Sequence, residues 1–433
     1  MNLNSETLKN RYNRQKAGPV GDFCPPVREV SLSFEAVENL IVVAFDGLSA
    51  AFLEPYGNRW VPTPSWSELS ASGMAAEWFM AESNELDAVY QSYWFGRHRL
   101  AKTRGTESLA KRMADSGRLT LCMTDTPKVA KWAEAAGFDE TEEPISKLNR
   151  ASVNSWEETA AAQWMMTGAA RLTSCERPFF AWLHIDSMSN SWQAPYAWRE
   201  RFVDEEDPPP PDFLQPPIGT IADSADPDEL LGWTHAYAAE VMLTDACLSL
   251  LLDGLSESGL DSRTAVVVTS PRGFAIGDHG VIGMESGILH QELTHVPFIL
   301  RSPGDEFRLM RRHGLFQSSD LYATCLSLLG QSTDQSWSQS LANESNLPDR
   351  AVATQGDYRA LRTPAWSCTW DQAGEFGLYV KPDDRWDVNE IAQRRPEIQP
   401  LAEDVYRDFL MQAECGNRSD LMELPPQLLD VGE

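Results

Sequence analysis

Five short stretches place groups that could do chemistry where apolar runs end. Asp46 follows "ENLIVVAF" and Asp125 follows "RLTLCMT". His184 and Asp186 close "PFFAWLHID", Pro271 and Arg272 follow "TAVVVTS", and Asp278 and His279 stand in "GDHG". Carboxylates and imidazoles can bind hard cations or move protons. In many α/β hydrolases the end of a late strand carries a carboxylate with an imidazole or an amide, and these hold a metal. Here a proline and an arginine take those two places.

The elements that must position these groups read as alternating strands and helices. Residues 38–45, 118–124, 178–185 and 264–269 are apolar and rich in β-branched residues, the pattern of buried strands. "TPSWSELSASG" (63–73) has the start and stop signals of a short helix, and "KVAKWAEAAG" reads as another. Residues 229–260 carry apolar residues at helical spacing and predict a long helix or a helix pair, and 318–330 predicts a helix closed by Gly330. The alternation predicts an α/β fold, a large, mostly parallel sheet sandwiched by helices. Ligands in such sheets sit at the C-terminal strand ends. That rule makes Asp46-Gly47, Asp125, His184 to Asp186 and Pro271-Arg272 the perimeter of any site.

Three regions stand apart. Residues 1–35 read as an irregular polar leader without the apolar core of a signal peptide. Residues 203–228 are proline-rich and acidic and predict a surface insertion within an α/β domain over 36–331. Residues 332–433 predict a small C-terminal α+β subdomain, with antiparallel strands and a helix near 395–413.

Composition narrows the function. The chain has 433 residues, 42% of them hydrophobic, and a formal net charge of −28. Such acidity excludes ordinary nucleic-acid binding and disfavours anionic membrane surfaces. No apolar run is long enough to span a bilayer. Seven scattered cysteines without a paired motif suit reduced thiols. The expectation is a cytoplasmic protein with a possible small-molecule or sugar ligand and no protein partner that the sequence can name.

The order of the pieces resembles the sulfatase family of the alkaline phosphatase superfamily, over roughly residues 38–413. "LIVVAFDGLSAAFLEPYGNRWVPTPSWSELSASG" is similar to the family's N-terminal signature of strand, Asp, "YG" turn and "TPxxxxLAxxG". "HAYAAEVMLTDACLSLLLDGLSESGL" resembles "YxAevxxlDxxvgxlLdxLxxxGl", and "TAVVVTSPRGFAIGDHG" resembles "TlVvftSDHGexlGeHG". "THVPFILRSPG" and the tail "FGLYVKPDDRWDVNEIAQRRPEIQPL" match two further segments. The resemblance implies a sulfuric ester hydrolase fold. Its chemistry is a formylglycine nucleophile assisted by a divalent cation, usually calcium, and by Arg, Lys and His.

Carried over residue by residue, the resemblance keeps the scaffold and loses the chemistry. Asp46 falls on the first metal carboxylate, but the other ligand positions are Gly47, Pro271 and Arg272. The nucleophile motif "CxPSRxxLLTG" aligns to "LDAVYQSYWFG", so Leu86 takes the nucleophile position, Ala88 the proline and Tyr90 the arginine. The lysine and histidine of "GKWH" are missing from "MTDTP". The third-strand histidine aligns to Ser189, and the late lysine to Met284 or Glu285. His279 survives beside Asp46 in the family's polar set.

The expected reading is a sulfatase-like pseudoenzyme that binds no metal, with Arg272 paired to Asp46 in place of the cation. One alternative is an active sulfate or phosphate ester hydrolase rebuilt around Asp46 and His279, drawing on Asp87, His184, Asp186, Asp278 and His290. Against it, His184 reads as a packed core histidine, Asp186 as a helix cap, and Asp278-His279 as a loop pair. A second alternative is a carbohydrate or small-ligand binding module. Tyr90, Tyr93, Trp94 and Trp192 would line its pocket and Arg272 would bind substrate. Trp60, Trp66 and Trp78 are assigned to the core.

Overall fold

Residues 40–45 are apolar at every position, and with Asn39 all seven side chains are buried in a strand covered on both faces. The computed structural model describes residues 37–431, apart from 103–105, 145–150, 223–224, 285–288, 334–336 and 344–346. The leader expected over 1–35 and Glu285 lie outside the described residues. In chain order the strands are β1 Asn39–Phe45, β2 Met74–Met80, β3 Leu119–Thr124, β4 Glu140–Glu142 and β5 Phe179–Ile185. Next come β6 Gly219–Thr220, β7 Thr264–Thr269, β8 Ala275–Ile276, β9 Val281–Gly283, β10 His295–Val296, β11 Phe298–Arg301 and β12 Met310–Gln317. The last four are β13 Ala351–Gln355, β14 Tyr358–Arg362, β15 Trp366–Trp370 and β16 Phe376–Val380.

The main sheet runs β10-β2-β11-β7-β1-β5-β3-β4, with β12 also on β2. From β7 to β4 every pairing is parallel. The exception in the middle is β11, antiparallel to both β7 and β2. The segment 229–260 forms one helix, Pro227–Glu257, started by Asp226, whose side chain accepts from the Asp228 N–H. It packs on helix Ala160–Thr173, and both belong to the large core with β1, β5 and β7.

The expected C-terminal strands form an antiparallel sheet, β13 to β16 in order. With helix Ile398–Cys415 it has its own core of Trp366, Leu378, Val405 and Phe409. The insertion is anchored rather than loose. Arg199 donates to the carbonyls of Pro211 and Phe213, and β6 pairs with β9.

Two tryptophan assignments change. Trp66 is fully buried, but Trp60 is 43% exposed and rests on Phe202, so it is not core. Trp78 is half-buried with the guanidiniums of Arg362 and Arg385 over its ring. Six described cysteines, at 122, 175, 247, 325, 368 and 415, are free thiols. No described helix is long and apolar enough to cross a membrane.

Candidate functional site

The register of the central strands builds the site. Ala44 lies opposite His184 on β5 and opposite Thr269 on β7. Asp46, His184 and the residues after Thr269 therefore converge at one rim. Backbone bonds fix the turns, because the Asp46 N–H donates to the Ile185 carbonyl and the Gly47 N–H to the Arg272 carbonyl. The Ser270 hydroxyl also donates to that carbonyl and accepts from the Leu48 N–H. Gly273 lets the chain pass, since a Cβ there would lie 2.0 Å from the Glu292 carbonyl oxygen.

Asp46 and Arg272 form the expected pair, in bidentate geometry. Arg272 Nε donates to Oδ1 at 2.9 Å and Nη2 to Oδ2 at 3.0 Å. The third nitrogen, Nη1, donates to the Asn84 carbonyl at 3.0 Å. The Asp46 side chain is 2% exposed and that of Arg272 is 14% exposed. Burial alone would raise the Asp46 pKa. The charge and hydrogen bonds of Arg272, helped by the Ser189 hydrogen bond, hold it below the ordinary carboxylate value.

The other family positions are filled by packing groups. Gly47 adopts φ +90°, and a Cβ there would meet the Met284 sulfur at 3.0 Å and Met188 Cβ at 3.3 Å. Two methionines thus close the place where a second carboxylate would stand. Leu86 opens helix Leu86–Phe95 and is half-buried. Tyr90 is buried, bonded to His184 Nδ1 at 2.6 Å and to Trp182 Nε1 at 3.1 Å. His184 is fully buried, which lowers its pKa and keeps it neutral despite Asp46 and Asp186. It is a core histidine that nonetheless faces the rim.

Two expectations fail. Tyr90, Tyr93, Trp94 and Trp192 do not line a pocket, for each is at most 1% exposed. Tyr90 and Trp94 pack edge to face on Trp182, Tyr93 packs tilted on it, Trp192 packs tilted against Tyr237 and Phe274, and the Tyr93 hydroxyl donates to the Ser270 carbonyl. Arg272 offers no free fork to a substrate. His279 is bonded to groups other than Asp46. Its Nδ1 bonds Glu292 at 2.8 Å, its Nε2 bonds the Asp387 carbonyl at 2.7 Å, and its ring stacks on His290 at 3.6 Å.

The residues of the rebuilt-site alternative are therefore divided. Asp87 is exposed on the first turn of its helix. Asp278 is exposed, and the partner of His279 is Glu292 rather than its neighbour. His290 lies 3.8 Å from the Asp387 carboxylate. Asp186 does act as a helix start, its carbonyl accepting from the N–H groups of Ser189 and Asn190, while its own N–H donates to Asp125 at 3.0 Å.

Sequence reasoning missed Glu82, a fully buried carboxylate just before the old nucleophile position. It accepts from the Ser92 hydroxyl at 2.6 Å and from the N–H groups of Arg99 at 3.0 Å and Ser319 at 2.9 Å. No motif marks it, because its partners come from three separate segments.

The donors do not suit the family's calcium. Such an ion takes six to eight oxygens. Asp46 is one carboxylate, already bonded through both oxygens, and Gly47, Pro271 and Arg272 add no anionic ligand. A dication ~4 Å from the guanidinium would be repelled by on the order of 8 kcal/mol at an effective dielectric of ~20. Among the described residues no group of three or more His, Cys, Asp and Glu side chains is placed to hold a metal.

With that geometry in hand, the fold defines an α/β protein with a large, mostly parallel sheet and a separate small antiparallel sheet. The structure is similar to a phosphonate monoester hydrolase of Agrobacterium radiobacter, with TM-score 0.69 and 14% identity, over 87% of this chain and 95% of that one. It is similar to one from Silicibacter pomeroyi, with TM-score 0.68 and 15% identity, over 89% and 96%. It is also similar to a putative sulfatase from Bacteroides thetaiotaomicron, with TM-score 0.67 and 15% identity, over 90% and 96%. No curated protein matches the sequence. The Sulfatase family model matches residues 38–331, more than half of the chain, and the protein belongs to the sulfatase family.

Proposed function

We propose that this member of the family has given up ester hydrolysis and works as a non-catalytic protein on the sulfatase scaffold. The observation that carries this reading is the bidentate Asp46–Arg272 pair. The one surviving family ligand is saturated by a cation that belongs to the chain itself. Leu86 has no lone pair for attack on sulfur or phosphorus. Tyr90, at the position of the family arginine, is buried and bonded to neutral His184, so it brings no cation to a developing charge. His279 is bonded to Glu292 and the Asp387 carbonyl, which supports the same reading.

The test is turnover of 4-nitrophenyl sulfate, 4-nitrophenyl phosphate and a 4-nitrophenyl phosphonate by purified protein, beside the Asp46→Ala variant. The expected outcome is the uncatalysed rate for both proteins with every ester. Turnover by the native protein that disappears in Asp46→Ala overturns the reading.

A further inference from the structure

A second feature lies beyond the rim, where the first turn of the C-terminal sheet meets the segment after helix Leu86–Phe95. Arg99, Leu100, Thr354, Asp357, Arg359 and Tyr406 are among the residues lining an open cleft of about 500 Å³. That volume lies within the ~300–1,000 Å³ of small-molecule sites. None of these residues belongs to the Asp46 site.

Arg359 is the unusual member. It stands opposite Trp370 across the β14–β15 pair. Its guanidinium lies over Trp370 at 5.3 Å and over Tyr406 at 5.5 Å. The rings hold the group in place, which leaves its N–H edge to do the binding. No acceptor among the described residues takes a hydrogen bond from that guanidinium. Arg99 differs. Its Nη1 donates to Ser83 and to the Thr354 carbonyl, and its Nη2 donates to Glu85 at 3.1 Å. It adds positive charge to the cleft but is held by the protein. Both guanidiniums act on the Tyr406 hydroxyl, opposing the rise that burial gives it.

The rest of the lining selects the ligand. A preorganised guanidinium edge pairs bidentately with an oxyanion. Asp357, Asp371 and Gln372 are exposed around it and offer acceptors. Those carboxylates, on a chain of net charge −28, oppose a multiply charged ligand. They favour hydroxyl or ammonium donors on the ligand itself. We propose that this cleft binds a small monocarboxylate carrying its own hydrogen-bond donors, with its carboxylate on the free edge of Arg359 and its donors toward Asp357 and Asp371. The proposal does not depend on whether the Asp46 site turns over an ester.

Isothermal titration of the full chain tests it with three probes, namely glucuronate, glucose and inorganic sulfate. Saturable one-to-one binding of glucuronate is expected, with glucose and sulfate each at least about tenfold weaker. Arg359→Gln should weaken glucuronate by about tenfold or more, and Arg359→Lys, which keeps charge and stem but loses the fork, should fall between. An unchanged melting temperature in each variant shows that the fold is intact. No glucuronate binding up to about 10 mM, equal binding by Arg359→Gln, or sulfate binding as tightly as glucuronate overturns the proposal.

Discussion

Two polar networks took up the two family residues that survive, and they handle charge in different ways. Asp46 and Arg272 form a closed couple, one anion and one cation joined by two hydrogen bonds and largely buried. His279 sits in a shared network. It bonds Glu292 and the Asp387 carbonyl, stacks on His290, and reaches Lys381 through the Asp387 carboxylate at 2.7 Å. In the first network one guanidinium occupies both oxygens of the carboxylate. The second has several titratable members and responds to protons.

The largest expected effect breaks the closed couple. Arg272→Met should cost about 3–5 kcal/mol in chemical denaturation at neutral pH, because Asp46 is left buried without its partner. The double change Asp46→Leu with Arg272→Met should recover most of that loss, since a buried ion pair is often replaceable by packed apolar groups. If the single and double variants lose equally, the pair is not the closed unit described here.

A smaller effect separates the second network by its pH dependence. Burial would lower the pKa of His279, but the hydrogen bond and charge of Glu292 and the Asp387 carbonyl raise it to about 9, against 6.5 for a free imidazole. The folded state thus holds this proton more tightly than the unfolded chain. The stabilisation is complete below pH 6.5 and is lost as the pH rises through 9. Allowing for partial solvent screening, His279→Gln should remove about 2 kcal/mol at pH 6 and little at pH 10, read from urea unfolding. The Asp46–Arg272 couple should show no slope in that window, because the depressed Asp46 pKa confines its loss to acid.

Packing changes come next. Gly47→Ala should cost about 1–3 kcal/mol, since it strains a positive-φ turn and presses on Met284. Asp87→Ala, on an exposed helical turn, should stay within about 0.5 kcal/mol of the native stability. A large loss there would restore the residue beside Leu86 to importance.

Much of this arrangement was legible from residue order. The central strands announced themselves because they are buried on both faces and mostly apolar. The Asp46–Arg272 pair could be anticipated because both residues follow central parallel strands, which the superfamily resemblance sets side by side. The fate of Tyr90, Tyr93 and Trp94 could not. Their spacing places aromatic groups on one helix but does not say whether that face meets a cavity or the core. The partners of His279 are hidden for a related reason. They lie 13 and 108 residues away, so only the folded chain could show them. Met188 and Met284 likewise gained meaning from the space above Gly47, where no single motif joins them.

The central claim is that the chain's own guanidinium has displaced the family's metal, and the metal content of purified protein tests it most directly. Elemental analysis after dialysis in excess calcium should find far less than one divalent ion per chain, and a chelator should leave the melting temperature unchanged. One calcium or zinc ion per chain, absent from Asp46→Ala, would contradict it.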